Sequence, residues 1–186
     1  MNIFINACAR KESRTKILAD EVLSKIGEYE EINLYDLDIK PIDEEFVNRR
    51  NELIANNDYS DPMFDIAKKI AKADNLIIAA PYWDGSFPSI LKVFIENIYT
   101  FGLLTCFDEK GMPKGLCVGN TVYYVSTCGG PFINTFGYDY IKFIFVDTFG
   151  YKQAKLIKAD MLDVVGFDAN KIMSDALEGI DKLWLS

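Results

Sequence analysis

The sequence contains no histidine, and its four cysteines include no C-x-x-C pair. The lack of histidine excludes every mechanism in which an imidazole acts as general base or nucleophile, and a zinc site would need an unusual ligand set. The cysteines at positions 8, 106, 117 and 128 match none of the usual iron–sulfur spacings. We therefore expect no metal site, and we interpret the four thiols as reduced and mostly buried.

Long apolar runs and clusters of basic residues are also missing. No apolar run approaches the roughly 20 residues of a membrane-spanning helix, and no charged stretch precedes the apolar N-terminal run as it would in a secretory signal. Acidic residues number 28 against 20 basic ones, and the net charge is −8. This balance argues against nucleic acid as a partner. The absences together predict a cytoplasmic protein that binds neither membranes nor nucleic acid.

The apolar pattern of the 186 residues predicts one domain of alternating strands and helices over the whole chain. No linker rich in proline, glycine or serine and no internal repeat divides it. The predicted strands cover residues 2–7, 30–34, 76–80, 121–126 and 153–159. Helices are expected after residue 15, over 61–73, after residue 88, over 132–150 and over 168–185, with a further helical excursion between 43 and 60.

The most informative stretch is residues 75–102, NLIIAAPYWDGSFPSILKVFIENIYTFG. It opens with a continuous apolar run, as in a strand buried on both faces, and the run ends at Pro81. Two aromatic residues, a carboxylate and a glycine follow before the next helix. Loops that leave the carboxyl ends of parallel strands are where ligands bind, so this aromatic loop is a candidate binding edge. Packing against a neighbouring helix or subunit is the alternative.

A polar loop follows the first predicted strand and leads into an amphipathic helix that ends at Gly27. Such a unit places backbone N–H groups and the positive end of a helix dipole at the edge of the sheet, where an anion would bind. Ser13 and Thr15 could equally serve as simple helix caps, and the residues alone leave the two interpretations even.

A third loop, Ser126 to Pro131, follows the fourth predicted strand and contains two consecutive glycines. Glycine lets a backbone approach a ligand closely and adopt positive φ. An ordinary strand-to-helix turn also favours glycine, and this loop taken alone fits that simpler interpretation better.

These three loops resemble motifs of the flavodoxin-like NAD(P)H:quinone oxidoreductases and FMN-dependent azoreductases. Residues 81–92 resemble P-x-Y/W-N-x-x-x-P/S-x-x-L-K, residues 8–15 resemble the phosphate loop S-x-x-x-x-S-x-T/S, and residues 126–130 resemble T-S-x-G-G. The loop at residues 8–15 lacks the G-x-G-x-x-G and G-K-[ST] motifs. Their absence favours a mononucleotide such as FMN over a dinucleotide bound in the Rossmann manner. Asp84 departs from the pattern, because the family usually has asparagine there.

The resemblance implies which residues bind FMN. The phosphate side would be formed by Cys8, Arg10, Ser13, Arg14 and Thr15, with one of the arginines as charge partner. The ring edge and the dimethylbenzene face would lie against Pro81, Tyr82, Trp83, Asp84 and Gly85. The pyrimidine end would meet Ser126, Thr127, Cys128, Gly129 and Gly130.

Residues 101–120 carry turn signals at Lys110-Gly111 and Lys114-Gly115 and are predicted to form a hairpin or flap insertion. In the family a similar segment shapes the substrate pocket, so Phe101 and Phe107 are candidate substrate contacts. A hairpin that stabilises a dimer is the equal alternative. The aromatic-rich segment 132–150 resembles helices that pack across a homodimer in this family, although a deeply buried helix would look the same.

The resemblance implies an α/β fold, a flavodoxin-like three-layer sandwich with a five-stranded parallel sheet and helices on both faces. It implies an enzyme in which FMN takes hydride from NADH or NADPH and passes it to a quinone, azo or nitroaromatic acceptor in a ping-pong course. Such a course needs no catalytic side chain, because the flavin carries the chemistry. A flavodoxin-type electron carrier and a non-enzymatic flavin-binding protein are the alternatives.

Overall fold

The computed structural model describes residues 1–185, which form seven strands and six α-helices. The strands are β1 (Asn2–Asn6), β2 (Tyr29–Asn33), β3 (Asn75–Ala79), β4 (Thr105–Phe107), β5 (Pro113–Gly115), β6 (Thr121–Thr127) and β7 (Gln153–Ala159). The helices are α1 (Arg14–Ile26), α2 (Glu44–Ala55), α3 (Asp65–Lys72), α4 (Ser89–Ile98), α5 (Tyr138–Lys142) and α6 (Ala169–Leu185). None of these helices is both long and apolar enough to cross a membrane.

Five strands form one parallel sheet in the order β2-β1-β3-β6-β7, as the sequence predicts. The central strands are buried on both faces because successive side chains point to opposite sides of the sheet. In β1, Ile3 and Ile5 pack with α3 and α4, while Phe4 packs with α1 and α6. The continuous apolar runs of β1 and β3 therefore supply two cores at once.

The helix ends follow local sequence signals. Gly27, with φ of 86°, ends α1 and donates its N–H to the Leu23 carbonyl. Asp168 caps α6, since its Oδ1 accepts from the N–H groups of Asn170 and Lys171 at 3.0 and 3.1 Å. The helix expected over residues 61–73 begins as a 3₁₀ turn after Asp61 and continues as α3.

The single helix expected over residues 132–150 is not formed. The segment divides into a 3₁₀ turn at Asn134–Phe136, the short helix α5, and a π-helical stretch at Phe143–Thr148. The last part is wound more widely, since the Phe149 N–H bonds the carbonyl of Ile144 five residues earlier, at 2.9 Å. Apolar spacing predicts helix here but not where its hydrogen-bond pattern changes.

Residues 101–120 form an antiparallel hairpin of β4 and β5 that is fixed to the main body. Asp108 makes its turn by accepting the N–H groups of Lys110 and Met112, each at 2.8 Å. The Lys114-Gly115 pair expected as a second turn lies instead within β5. A Cβ on Gly115 would stand 2.4 Å from the Gly150 nitrogen, so the two backbones touch here. The hairpin is therefore docked against the chain before β7.

We predict opposite effects of adding a methyl group at two glycines. Gly115→Ala must overlap backbone atoms and should lower the free energy of unfolding by about 1–3 kcal/mol. Gly179 lies inside α6 with no atom within 4 Å of an added Cβ, so Gly179→Ala should raise it by about 0.5–1 kcal/mol. Urea unfolding of both variants measures the difference. Equal stability of Gly115→Ala and the parent would show that the hairpin is not docked.

Candidate functional site

Thr127, the last residue of β6, joins the loops that follow β1, β3 and β6. Its hydroxyl lies 2.7 Å from the hydroxyl of Thr15 in α1, and its carbonyl accepts the Tyr82 N–H at 3.0 Å. The three strands are neighbours in the sheet and run parallel, so their carboxyl ends meet at one edge.

A cleft of about 220 Å³ opens at this edge. It brings together eight of the residues that the sequence predicts, namely Arg10, Ser13, Arg14, Pro81, Tyr82, Trp83, Thr127 and Gly129, together with Ala9, Glu12 and Asp163. All three predicted loops therefore contribute to one site.

The start of α1 is open toward the cleft. Ser13 occupies the N-cap position, yet its side chain makes no capping hydrogen bond, and the first turn carries no acidic residue. The first N–H groups of a helix have no acceptor within the helix and carry its positive dipole end. This end of the cleft can therefore donate hydrogen bonds to an anion.

The two arginines of the cleft differ in their partners. Arg14 forms a two-pronged ion pair with Asp163, its Nη1 and Nη2 lying 2.9 and 3.1 Å from the carboxylate oxygens. This contact lowers the pKa of Asp163. Arg10 makes no ion pair with any residue in the described part of the chain and remains the freer cation for an incoming phosphate.

Asp163 is a cleft residue that the sequence interpretation missed. Its N–H bonds the Gly129 carbonyl at 2.9 Å, and a Cβ on Gly129 would meet its Oδ2 at 2.4 Å. A side chain at position 129 would therefore displace the Asp163 carboxylate, and glycine leaves room for that carboxylate beside the loop after β6. The signal was present, because β7 also ends at this edge and an aspartate-containing segment, ADMLD, follows directly.

The aromatic end of the cleft is built on a tight turn. Trp83 and Ser86 exchange backbone hydrogen bonds of 2.7 and 2.9 Å around Asp84 and Gly85, whose φ angles are 50° and 90°. Two central residues with positive φ define a type I′ turn, for which Asp-Gly is a favoured pair. Trp83 is consequently held at the rim with 40% of its surface exposed. Asp84 and Gly85 face an adjoining cavity that also contains Lys92 and Phe136.

The remaining predicted residues lie behind the cleft or away from it. Thr15 and Ser126 are fully buried, and the Ser126 hydroxyl donates to the Ala80 carbonyl at 2.7 Å. Gly130 adjoins Gly129, and its carbonyl accepts from the Met161 N–H. Phe101 and Phe107 pack against each other with tilted rings, their centroids 5.2 Å apart, and line neither cavity.

The thiols Cys8 and Cys128 lie beside the cleft but are largely buried. Burial raises the pKa of both, and a hydrogen bond from Ser13 offsets part of the effect at Cys8. A thiol with a raised pKa stays protonated near neutral pH and is a poor nucleophile. The structure thus gives neither cysteine the properties of a nucleophile, and their contact with the cofactor stays a prediction.

A family model described as a flavodoxin-like fold matches residues 1–183. Among solved structures, an FMN-dependent NADH-azoreductase from Bacillus anthracis in complex with FMN superposes with a TM-score of 0.82 at 20% identity, covering 98% of this chain and 96% of the other. An NAD(P)H:quinone oxidoreductase from Methanothermobacter marburgensis gives 0.73 at 17% identity, covering 99% and 97%. At these identities the likeness concerns the fold alone. Fold and site together define a flavodoxin-like protein.

Curated relatives narrow this class. The FMN-dependent NADH:quinone oxidoreductase of Clostridium beijerinckii is 30% identical in an alignment of 194 positions, which covers 95% of this chain and 93% of the relative. A second, from Coprothermobacter proteolyticus, is 27% identical and covers 93% and 91%. One from Clostridium acetobutylicum is 35% identical, but the match spans only 60% of this chain and 58% of that relative. The chain belongs to the family of FMN-dependent NADH:quinone oxidoreductases.

We predict that alkylation distinguishes the four thiols. Burial raises the pKa of Cys8 and Cys128, and raises that of Cys117 to about 12, whereas Cys106 is only half-buried. Iodoacetamide reacts with the thiolate, so Cys106 should be labelled first in the folded protein and the other three mainly after unfolding. Peptide mass spectrometry after timed quenching measures each site. Labelling of Cys8 or Cys128 as fast as Cys106 would contradict the burial and the raised pKa of these two thiols.

Proposed function

We propose that this protein binds FMN in the cleft and catalyses electron transfer from NADH to a quinone, with azo and nitroaromatic compounds as further acceptors. The observation that carries the proposal is the uncapped start of α1, which lines the cleft together with Arg10 and the aromatic residues Tyr82 and Trp83. The relatives are named for FMN, NADH and quinone, and their match extends over nearly the whole chain.

The residues of the cleft fit an FMN phosphate. The free N–H groups of the first turn of α1, the Ser13 side chain and Arg10 are donors, and an anion is the ligand that such donors favour. Two carboxylates, Glu12 and Asp163, also line the cleft, but Asp163 is already neutralised by Arg14. The phosphate would therefore lie on the side of Arg10.

The ring would lie toward the aromatic end. Trp83, which is 40% exposed, offers apolar surface for stacking, and the backbone of Gly129 can come close to a planar ligand. Tyr82 is packed against Phe132 with centroids 4.7 Å apart, which fixes its position. Stacking on Trp83 and the approach of the Gly129 backbone would orient the ring and keep water from one side of it. Cys128 and Gly130 support the loop that carries Gly129.

When bound, FMN would supply the hydride chemistry, accepting hydride from a nicotinamide and delivering it to an acceptor. The protein contributes binding and orientation, so no side chain is assigned a catalytic role. The relatives are named for NADH, which makes NADH the proposed donor. Phe101 and Phe107 stay proposed contacts of the acceptor. Since they line neither cavity of their own chain, that contact would come from the partner subunit of a homodimer.

A homodimer is proposed on the basis of exposed apolar side chains next to the site. Ile133, Phe136 and Phe143 lie on the segment between β6 and β7 and are 49%, 57% and 56% exposed. Such a group of large apolar residues on one segment is typical of a protein interface. The other half of the same segment, including Phe145 and Phe149, is fully buried in the core.

A cytoplasmic location is proposed from the thiols. All four cysteines are free, and unpaired thiols are typical of a reducing compartment.

We predict that Phe143→Asp shifts the protein from dimer to monomer, because a charge would be buried in the contact. Light scattering coupled to gel filtration gives the mass directly. Val165→Asp is the matched control, since Val165 is 99% exposed and lies outside this segment, and it should leave the dimer intact. A monomeric parent protein would refute the proposed dimer.

We predict that Arg10→Ala weakens FMN more than riboflavin, which lacks the phosphate. Losing one charge-assisted contact should reduce FMN affinity by about tenfold to a hundredfold and leave riboflavin nearly unchanged. Flavin fluorescence titration measures both constants. Lys11→Ala is the control, because Lys11 is an adjacent exposed cation that does not line the cleft. Equal losses for the two flavins, or equal losses for the two variants, would place the phosphate elsewhere.

A further inference from the structure

The hydroxyl contact between Thr15 and Thr127 connects two parts of the chain that are 112 residues apart. The oxygen atoms are 2.7 Å apart, and the contact is buried. Thr15 has no exposed surface at all, so its side chain acts on Thr127 and is not free to reach the cleft. A buried hydroxyl pair of this kind is costly to separate, because each group would lose its partner without gaining water.

Thr127 passes this contact on to the aromatic loop. Its carbonyl holds the Tyr82 N–H at 3.0 Å, and Tyr82 leads directly into the turn that positions Trp83. One residue therefore connects the start of α1, where the phosphate is proposed to bind, with the loop where the ring is proposed to bind. The chain of contacts is Thr15 hydroxyl, Thr127 hydroxyl, Thr127 carbonyl and Tyr82 N–H.

A second link runs parallel to the first but is exposed. Arg14 pairs with Asp163, whose N–H bonds the carbonyl of Gly129. The side chains of Arg14 and Asp163 are 42% and 65% exposed, so water weakens this pair. The Thr15 contact is the buried one of the two. It is therefore the stronger candidate for coupling the start of α1 to the loop after β3.

We propose that the Thr15–Thr127 hydrogen bond makes anion binding at α1 and ring binding at the β3 loop cooperative. An anion orders the start of α1 and thereby restricts Thr15, Thr127 and Tyr82. The ring then binds to a loop that has already lost part of its freedom, and it meets a smaller entropy cost. Thr15 is a positioning residue in this scheme. The proposal rests on the proposed function, since it assumes that FMN occupies the cleft.

The test uses two small molecules in place of FMN. Lumiflavin represents the ring, and inorganic phosphate represents the anion. Lumiflavin affinity is measured by fluorescence with and without saturating phosphate, using potassium chloride at equal ionic strength as the control. In the parent protein phosphate should tighten lumiflavin binding by about three- to tenfold, the range expected for one buried hydrogen bond. Linkage requires lumiflavin to tighten phosphate binding by the same factor.

Three variants test the hydrogen bond itself. Thr15→Val keeps the side-chain shape and removes the hydroxyl, and the coupling factor should fall below about twofold. Thr127→Val should do the same, and Thr15→Ser should restore the parent coupling because it restores the hydroxyl. Thermal unfolding of each variant confirms that it is folded. An effect of packing alone would change lumiflavin affinity with and without phosphate equally and would not alter the coupling.

The outcomes separate this proposal from the proposed function. If FMN binds but phosphate does not change lumiflavin affinity in the parent protein, the coupling is refuted and the flavin site stands. The same holds if Thr15→Val and the parent show equal coupling. If FMN itself does not bind, the proposed function fails, and the coupling fails with it.

Discussion

The parallel pairing of β1, β3 and β6 determines where this protein can bind a ligand. Because these strands run the same way and lie side by side, the three loops that leave them meet at one edge. The strands hold this arrangement because they are buried on both faces, with one core formed under α3 and α4 and the other under α1 and α6. The position of the cleft is thus a consequence of how apolar residues are distributed along the strands.

Charge within the cleft is nearly balanced. The cleft is lined by two arginines, Arg10 and Arg14, and by two carboxylates, Glu12 and Asp163. Asp84 lies in the turn beside the aromatic end of the cleft. The turn explains why Asp84 departs from the asparagine usual in the family, since both residues tolerate the positive φ found there. The substitution leaves the backbone unchanged and adds one negative charge near the proposed ring. Such a charge disfavours any negative charge that develops on a neighbouring ligand.

Much of the fold could be predicted from the sequence, because apolar periodicity decides it. The strand at residues 153–159 agrees with the prediction, and each boundary of the other four sheet strands agrees to within one residue. Long-range contacts could not be predicted in this way. The place of Asp163 after β7 put it at this edge of the sheet, but its ion pair with Arg14, 149 residues away, has no signal in the sequence. Asp84-Gly85 is a favoured pair for a tight turn, but the family resemblance led to the prediction that both residues contact the flavin ring. The change to a π-helix after α5 leaves no mark in the apolar spacing.

We propose above that this chain binds FMN and uses it to accept electrons from NADH. The most direct measurement is the anaerobic absorbance spectrum of the FMN-loaded protein after NADH is added, then after a quinone is added. We expect NADH to bleach the visible flavin band and the quinone to restore it without oxygen. Bound FMN whose spectrum neither NADH nor NADPH alters would contradict the account and identify an electron carrier or a flavin-binding protein without this activity.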